Sequence, residues 1–402
     1  MKYVILVGDG MGDLPIAELG NKTPLEAAAT PAMDTLAKRG VLYSVATVPS
    51  GMPPGSDVAN LSLLGYLPAK IYSGRAPLEA ASMGVSLAAD EVAFRCNLVT
   101  LAQQAGGSLT MVDYSAGHIS TAEAADLIEA LNRSCATDRI RFYPGVGYRH
   151  LMVHKGLLPE LETVPPHDYS GQDVTHFWQR YLKIDHFKKL LSQAQTVLAD
   201  HPVNLKRQQE GKNPANAIWL WGEGKSPVMP SFYDQYAKSG ALISAVDLLK
   251  GIAVLAGLDV LPVEGATGYL DTNYQGKVDA ALAALQEHDM VFVHVEAPDE
   301  AAHQGLLAEK MQAIEDFDRK IVKPVFEALQ ASSEPFRIIV AMDHYTPLAI
   351  RTHDRRPVPI LLYDSRWKKE HPQLRYTEAA AACYGNYLAN GREMMELFLG
   401  HD

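Results

Sequence analysis

The sequence predicts an α/β fold: a large, mostly parallel sheet with helices on both faces, plus a smaller inserted α+β domain. Three observations carry this expectation. Residues 3–7 (YVILV) form an apolar run closed by Gly8-Asp9-Gly10, the pattern of a strand buried on both faces that delivers an acidic residue at its carboxyl end. Similar runs recur far along the chain, MVFVHV at 290–295 and FRIIVAM at 336–342, each leading into acidic and histidine residues. Between the two ends lies a stretch of different character, 88–184, with shorter strand patterns and loops richer in Arg, His, Pro and Gly.

Taken in order, residues 23–40 read as a helix, with Thr30 a cap before Pro31 and Gly40 a stop. A second helix-like run follows Ser56. The central stretch contains the strand-like AFRCNLVTL, the helix-like TAEAADLIEALN, RFYPGVGYRHLMV and the loop TVPPHDYSGQD, and is expected to be an inserted domain over 88–184, leaving 1–87 and 185–402 as the core. The apolar run at 217–221 is assigned to the core sheet with the two ends of the chain, and 376–399 to a packing helix.

Composition narrows the function. A chain of 402 residues has room for two to three domains. A net charge of −11 argues against a surface built for nucleic acid or anionic lipid, so neither is expected as a partner. Cys96, Cys135 and Cys383 are an odd set without a CxxC pair, which speaks against a disulfide framework or a thiolate zinc site. The first apolar run is too short for a signal peptide and no run reaches 18 apolar residues, so a cytoplasmic location is expected.

The chemistry concentrates in Asp9, in Asp299 and His303 of APDEAAHQG, in Asp343-His344 of MDHYTP, and in His353. Ends of parallel strands and the loops after them are where open α/β sheets place their sites. Asp299 and His303, four apart, face one point if helical. Carboxylate and imidazole ligands suit zinc, manganese or iron better than calcium, and the number of groups fits a dinuclear centre. Ser56, after Pro53-Pro54-Gly55 and before the helix-like run, reads either as a nucleophile at a helix amino terminus or as an N-cap. A neighbouring metal would activate an otherwise poor nucleophile.

GDGMGD, PPGSDVAN, YSGRAPLEAAS, VAFRCNLVTL, YSAGHIST, HPVN, ISAVDLLKGI, GATGYLDTNY, HVEAPDEAAH and MDHYTP together resemble the archaeal-type cofactor-independent phosphoglycerate mutases of the alkaline phosphatase superfamily, across nearly the whole chain. Within that family the chain looks most like the bacterial branch labelled a proposed homoserine kinase. The resemblance implies an alkaline-phosphatase-like core with the inserted domain as a substrate-binding lid. It also implies two divalent ions, manganese foremost with zinc, cobalt or magnesium as alternatives. One would be held by Asp299, His303 and His353, the other by Asp9, Ser56, Asp343 and His344, and Ser56 would be phosphorylated during turnover. His118, Arg149, Lys250 and Arg75 are the candidates to hold a small phosphorylated substrate, and His167 or Asp168 the candidate acid/base. Arg141 and His150 are further candidates from the inserted stretch. Ala302 and the Arg355-Arg356 pair depart from the usual family residues without removing a ligand.

The expected reaction is therefore interconversion of 2-phosphoglycerate and 3-phosphoglycerate. The alternatives are another phosphoryl transfer on the same core, by a homoserine kinase or a phosphatase, and a metal-dependent binding protein without catalysis. The chain lacks the GxxxxGK[ST] loop and the HRD and DFG sets of familiar nucleotide-using enzymes.

Overall fold

The computed structural model describes residues 1–156, 161–383 and 386–400. In chain order the strands are β1 (Lys2–Gly8), β2 (Val41–Val45), β3 (Glu91–Gln103), β4 (Leu109–Asp113), β5 (Ile140–Tyr143), β6 (Arg149–Lys155), β7 (Ala217–Gly224), β8 (Gly240–Ile243), β9 (Asp259–Val260), β10 (Met290–Val295), β11 (Phe336–Ala341), β12 (Val358–Asp364) and β13 (Tyr387–Leu388). The chain divides into two compact units, Met1–Tyr72 with Val228–Asp402, and Ser73–Pro227.

The first unit is built on an eight-stranded sheet in the order β13-β2-β12-β11-β1-β10-β8-β9. Pairing is parallel from β11 through β1 and β10 to β8 and β9, while β12 runs antiparallel to β11 and β2. The central strands β1, β10 and β11 are apolar almost throughout because both faces are covered by helices. Their register, Gly8 opposite Val295 and Val7 opposite Ala341, brings three carboxyl ends to one edge.

The expected helix over 23–40 is two helices. Thr23 forms a capping box with Glu26 at the head of Pro24–Ala27, and the chain re-enters helix at Pro31–Arg39. Thr30 precedes Pro31 as expected, but its side chain makes no cap bond. Asp318 caps that helix instead, accepting from Ala32 N at 3.1 Å and Met33 N at 2.7 Å. Asp318 is placed there by a π-helical turn, Asp318–Val322, between helices Leu307–Phe317 and Lys323–Ala331. The tail is likewise interrupted. Glu378–Cys383 and Gly391–Leu399 are helical, and β13 between them pairs with β2.

The second unit is an antiparallel sheet in which the long β3 pairs with β6, β7 and, past an irregularity at Thr100/Leu101, β4, with β5 on β6. Its core gathers Phe94, Leu98, Leu127, Leu131, Phe187, Leu191 and Trp219. Two expectations change here. The apolar run at 217–221 lies in β7 and pairs with β3, so it belongs to this sheet and not to the large one. The unit spans Ser73–Pro227 where 88–184 was expected, because helix Ala76–Ser82 packs on β3 and helix Asp185–Ala199 packs on Thr121–Cys135. No helix among the described residues is long and apolar enough to cross a membrane.

Candidate metal centre

The edge formed by β1, β10 and β11 collects the candidate ligands. Asp9 follows β1 directly and its N–H donates to Val295 O at 2.9 Å. Gly10 turns the chain with φ +58°, and a Cβ there would lie 2.4 Å from Asp299 Oδ1, so the glycine is what lets the backbone pass so close. Asp299 and His303 sit on helix Ala297–Gln304, which ends at left-handed Gly305. Their four-residue spacing brings Asp299 Oδ2 within 3.2 Å of His303 Nε2. His353 Nε2 completes this group, 3.0 Å from His303 Nε2 and 3.7 Å from Asp299 Oδ1.

Asp343 and His344 follow β11. Asp343 Oδ1 accepts from Gly10 N and His344 N, and Oδ2 accepts from Asn60 Nδ2 at 2.8 Å. His344 Nε2 lies 3.4 Å from both Asp9 Oδ1 and Asp343 Oδ2 and 3.1 Å from Ser56 Oγ. Ser56 opens helix Ser56–Leu63, but Gly55 holds the N-cap position, and the first-turn Val58 N–H is taken by Asp57 Oδ1 at 2.8 Å and not by Ser56. The Ser56 hydroxyl is therefore directed to the cluster and not to its own helix.

The electrostatics ask for a cation. Asp9, Asp299 and Asp343 are all buried, and among the described residues no lysine or arginine pairs with any of them. Burial, reinforced by Asp343 and Asp299, pushes the Asp9 carboxyl well above its usual range. Burial acts the same way on Asp299, yet bonds from His303 and His353 hold it well below that range. Burial lowers His303 as well, but Asp299 outweighs it and brings the ring up to about 9.

The imidazoles are set for ligation. His303 Nδ1 donates to Arg351 O at 2.9 Å, and His344 Nδ1 donates to Thr346 Oγ1, whose own hydroxyl donates to Asp299 Oδ1. With Nδ1 committed to these acceptors, Nε2 of each ring faces the carboxylates, where a divalent ion would take the place of a proton, the arrangement that metal-binding histidines use. Donor separations of 3.0 to 3.7 Å suit a shared ion, since adjacent ligands at ~2.1 Å from one centre lie about 3 Å apart. The donor set therefore fits divalent metal.

Sequence reasoning passed over His294, Asn60 and Thr346. His294 lies inside the apolar word MVFVHV and reads as core, yet its Nε2 is 3.0 Å from Asp9 Oδ2. The available signal was positional: in β10 it stands opposite Val7, two residues before Asp9.

In the second unit, aromatic rings gather several of the candidate substrate residues. Tyr114 packs against His118, Tyr148 and His167, Arg149 lies over Tyr148, and Arg75 and Arg95 lie over Trp221 at 5.9 and 4.1 Å. His167 Nε2 and Asp168 Oδ1 are 3.5 Å apart on the short turn Pro166–Tyr169. Arg141 is exposed on β5, whereas His150 is buried and uses Nδ1 to accept from Gly145 N. Lys250 belongs to the first unit, where it pairs with Asp247 at 3.0 Å. Arg355 and Arg356 are exposed.

A family model described as 2,3-bisphosphoglycerate-independent phosphoglycerate mutase matches residues 37–204. A protein of that name from Methanosarcina mazei is 57% identical over 364 residues, 90% of each chain. One from Geobacter sulfurreducens, named a probable enzyme of the same kind, is 52% identical and aligned over 99% of this chain and 100% of its own. Among solved structures, a Pyrococcus horikoshii protein superposes with a TM-score of 0.82 at 28% identity, covering 99% of this chain and 97% of its own. A cofactor-independent phosphoglycerate mutase from Thermoplasma acidophilum gives 0.65 at 27%, covering 99% of both. With such identity across most of its length, the chain belongs to the family of 2,3-bisphosphoglycerate-independent phosphoglycerate mutases.

Proposed function

We propose that this protein interconverts 2-phosphoglycerate and 3-phosphoglycerate through a phosphoserine at Ser56. The observation that carries this reading is the Ser56 hydroxyl, released from helix capping and held 3.1 Å from His344 Nε2 beside Asp9 and Asp343. Asp299, His303 and His353 would hold one divalent ion, and Asp9, Asp343, His344 and Ser56 the other. When bound, two such ions supply the positive charge that lowers the serine pKa and neutralises the phosphoryl oxygens.

The chain's own groups do the rest. Ser56, already ionised with its proton lost to solvent, attacks phosphorus through Oγ as the bond from phosphorus to the glycerate oxygen breaks, and the departing oxygen takes a proton from Asp168 or His167. The neighbouring glycerate hydroxyl then returns a proton to the same group and attacks phosphorus, which frees Ser56. Arg149, His118, Arg75 and Lys250 are the cations and donors proposed to hold the carboxylate and phosphate meanwhile. Their grip matters because a phosphoserine exposed to water hydrolyses, which would make the enzyme a phosphatase.

A coupled assay of the manganese-loaded protein with 3-phosphoglycerate tests the reading, with homoserine plus ATP run in parallel. Formation of 2-phosphoglycerate in the first arm and no phosphohomoserine in the second is expected. The reverse pattern, or release of inorganic phosphate without isomerisation, would replace the mutase by one of its rivals.

A further inference from the structure

We infer that His294 is an additional protein ligand of the ion held at Asp9 and Asp343. The inference rests on the two-ion reading above and adds a residue to it. Ligand atoms of Asp9, His294 and Asp343 lie within 4.8 Å of one another, and all three side chains are buried. His294 Nε2 is 3.0 Å from Asp9 Oδ2 but not aligned for a hydrogen bond, and both it and Asp9 Oδ1 are buried without a hydrogen-bond partner. Orphaned polar atoms of this kind are costly in a protein interior, and a cation beside Asp9 and His294 would satisfy them. The spacing of about 3 Å is that of neighbouring ligands on a single ion at ~2.1 Å.

The surroundings orient the ring for this role. Ser244 Oγ already accepts from Val246 N at 3.0 Å and lies 3.4 Å from His294 Nδ1. If Nδ1 carries the proton toward that oxygen, the Nε2 lone pair is left to face the carboxylates. The backbone is fixed as well, with His294 O accepting from the buried Lys277 Nζ at 2.9 Å. The opposite edges of Asp9 then have separate partners, Oδ1 near His344 and Oδ2 near His294.

The test compares wild type with His294→Ala and the polar, size-matched His294→Gln, using manganese as the probe. Manganese binding is followed by calorimetry and metal analysis, and directly bound nitrogens are counted from 14N couplings in pulsed electron paramagnetic resonance. Two ions in wild type are expected, with one bound at least tenfold more weakly in each variant and one nitrogen coupling lost. Should the alanine variant not fold, the glutamine variant decides. Wild-type affinity with an unchanged nitrogen count overturns the assignment. So does weakened affinity with an unchanged count, since His294 would then only orient Asp9. A wild type that binds fewer than two ions overturns the two-ion reading itself, an outcome visible before any variant is made.

Discussion

At the scale of single residues, the argument turns on what Ser56 does with its hydroxyl. A serine at a helix start usually caps it, and that reading stood beside the nucleophile in the sequence. The extended Gly55 takes the cap position, so Ser56 Oγ is available to the cluster. Replacing Ser56 by alanine is expected to lower mutase turnover by several orders of magnitude, because a lost covalent step is not recovered through binding. Thermal stability should change little, as no helix-capping bond is removed. Retention of more than about a tenth of the activity, a loss under ~1.4 kcal/mol of transition-state stabilisation, would contradict the nucleophile. Most of the candidate centre was legible because Asp9, Asp299, His303, Asp343, His344 and His353 stand out at strand ends, on the short helix after β10, or in loops. His294 was not, since a histidine within an apolar strand looks like core until the neighbouring strand and register are known.

Elements are tied together by a buried polar network beside the centre. Lys310, from helix Leu307–Phe317, donates to Gly12 O at 3.1 Å, Asp13 Oδ2 at 2.9 Å and Thr346 O at 2.9 Å, joining the loops that follow Asp9 and His344. Lys310→Met should cost about 3–5 kcal/mol in denaturant unfolding, because it strands the buried Asp13 carboxylate. A companion Asp13→Leu change should return part of that loss. An unchanged midpoint in the single variant would show that the network does not hold the loops.

Glu378 joins the same network, accepting from Asp13 N at 3.3 Å and Thr23 Oγ1 at 2.8 Å. Burial pushes its carboxyl up to about 7 despite those bonds. The folded protein therefore binds the proton more tightly than the unfolded chain, and the stability this provides is present at low pH and lost as pH rises to about 7. Melting temperatures of Glu378→Gln should lack this component of the decline between about pH 5 and 7, and identical slopes in both proteins would refute it. The element boundaries that sequence missed share one cause. The cap of Pro31–Arg39 comes from Asp318, far away in sequence, and the partner of β7 depends on which sheet an apolar run joins, which hydrophobicity alone does not specify.

At the scale of the molecule, the acidic balance of the chain and the site's charge fit one picture. A protein with net charge −11 that buries Asp9, Asp299 and Asp343 together has a candidate centre suited to cations, and in the proposed reading those cations, rather than the surface at large, would attract a phosphorylated substrate. The fold class was readable because the central strands are apolar on both faces and lead into candidate ligands. The extent of the second unit was less so, since its boundaries depend on helices that pack back onto it from outside the compositionally distinct stretch. The measurement that bears most directly on the mechanism is to mix manganese-loaded protein with 3-phosphoglycerate, quench in acid, and locate phosphate on the chain by peptide mass spectrometry while following the glycerates by 31P resonance. Phosphate on Ser56 together with 2-phosphoglycerate formation is the expected result. Interconversion that persists in Ser56→Ala, or that proceeds with no phosphate ever found on Ser56, would contradict the phosphoserine route.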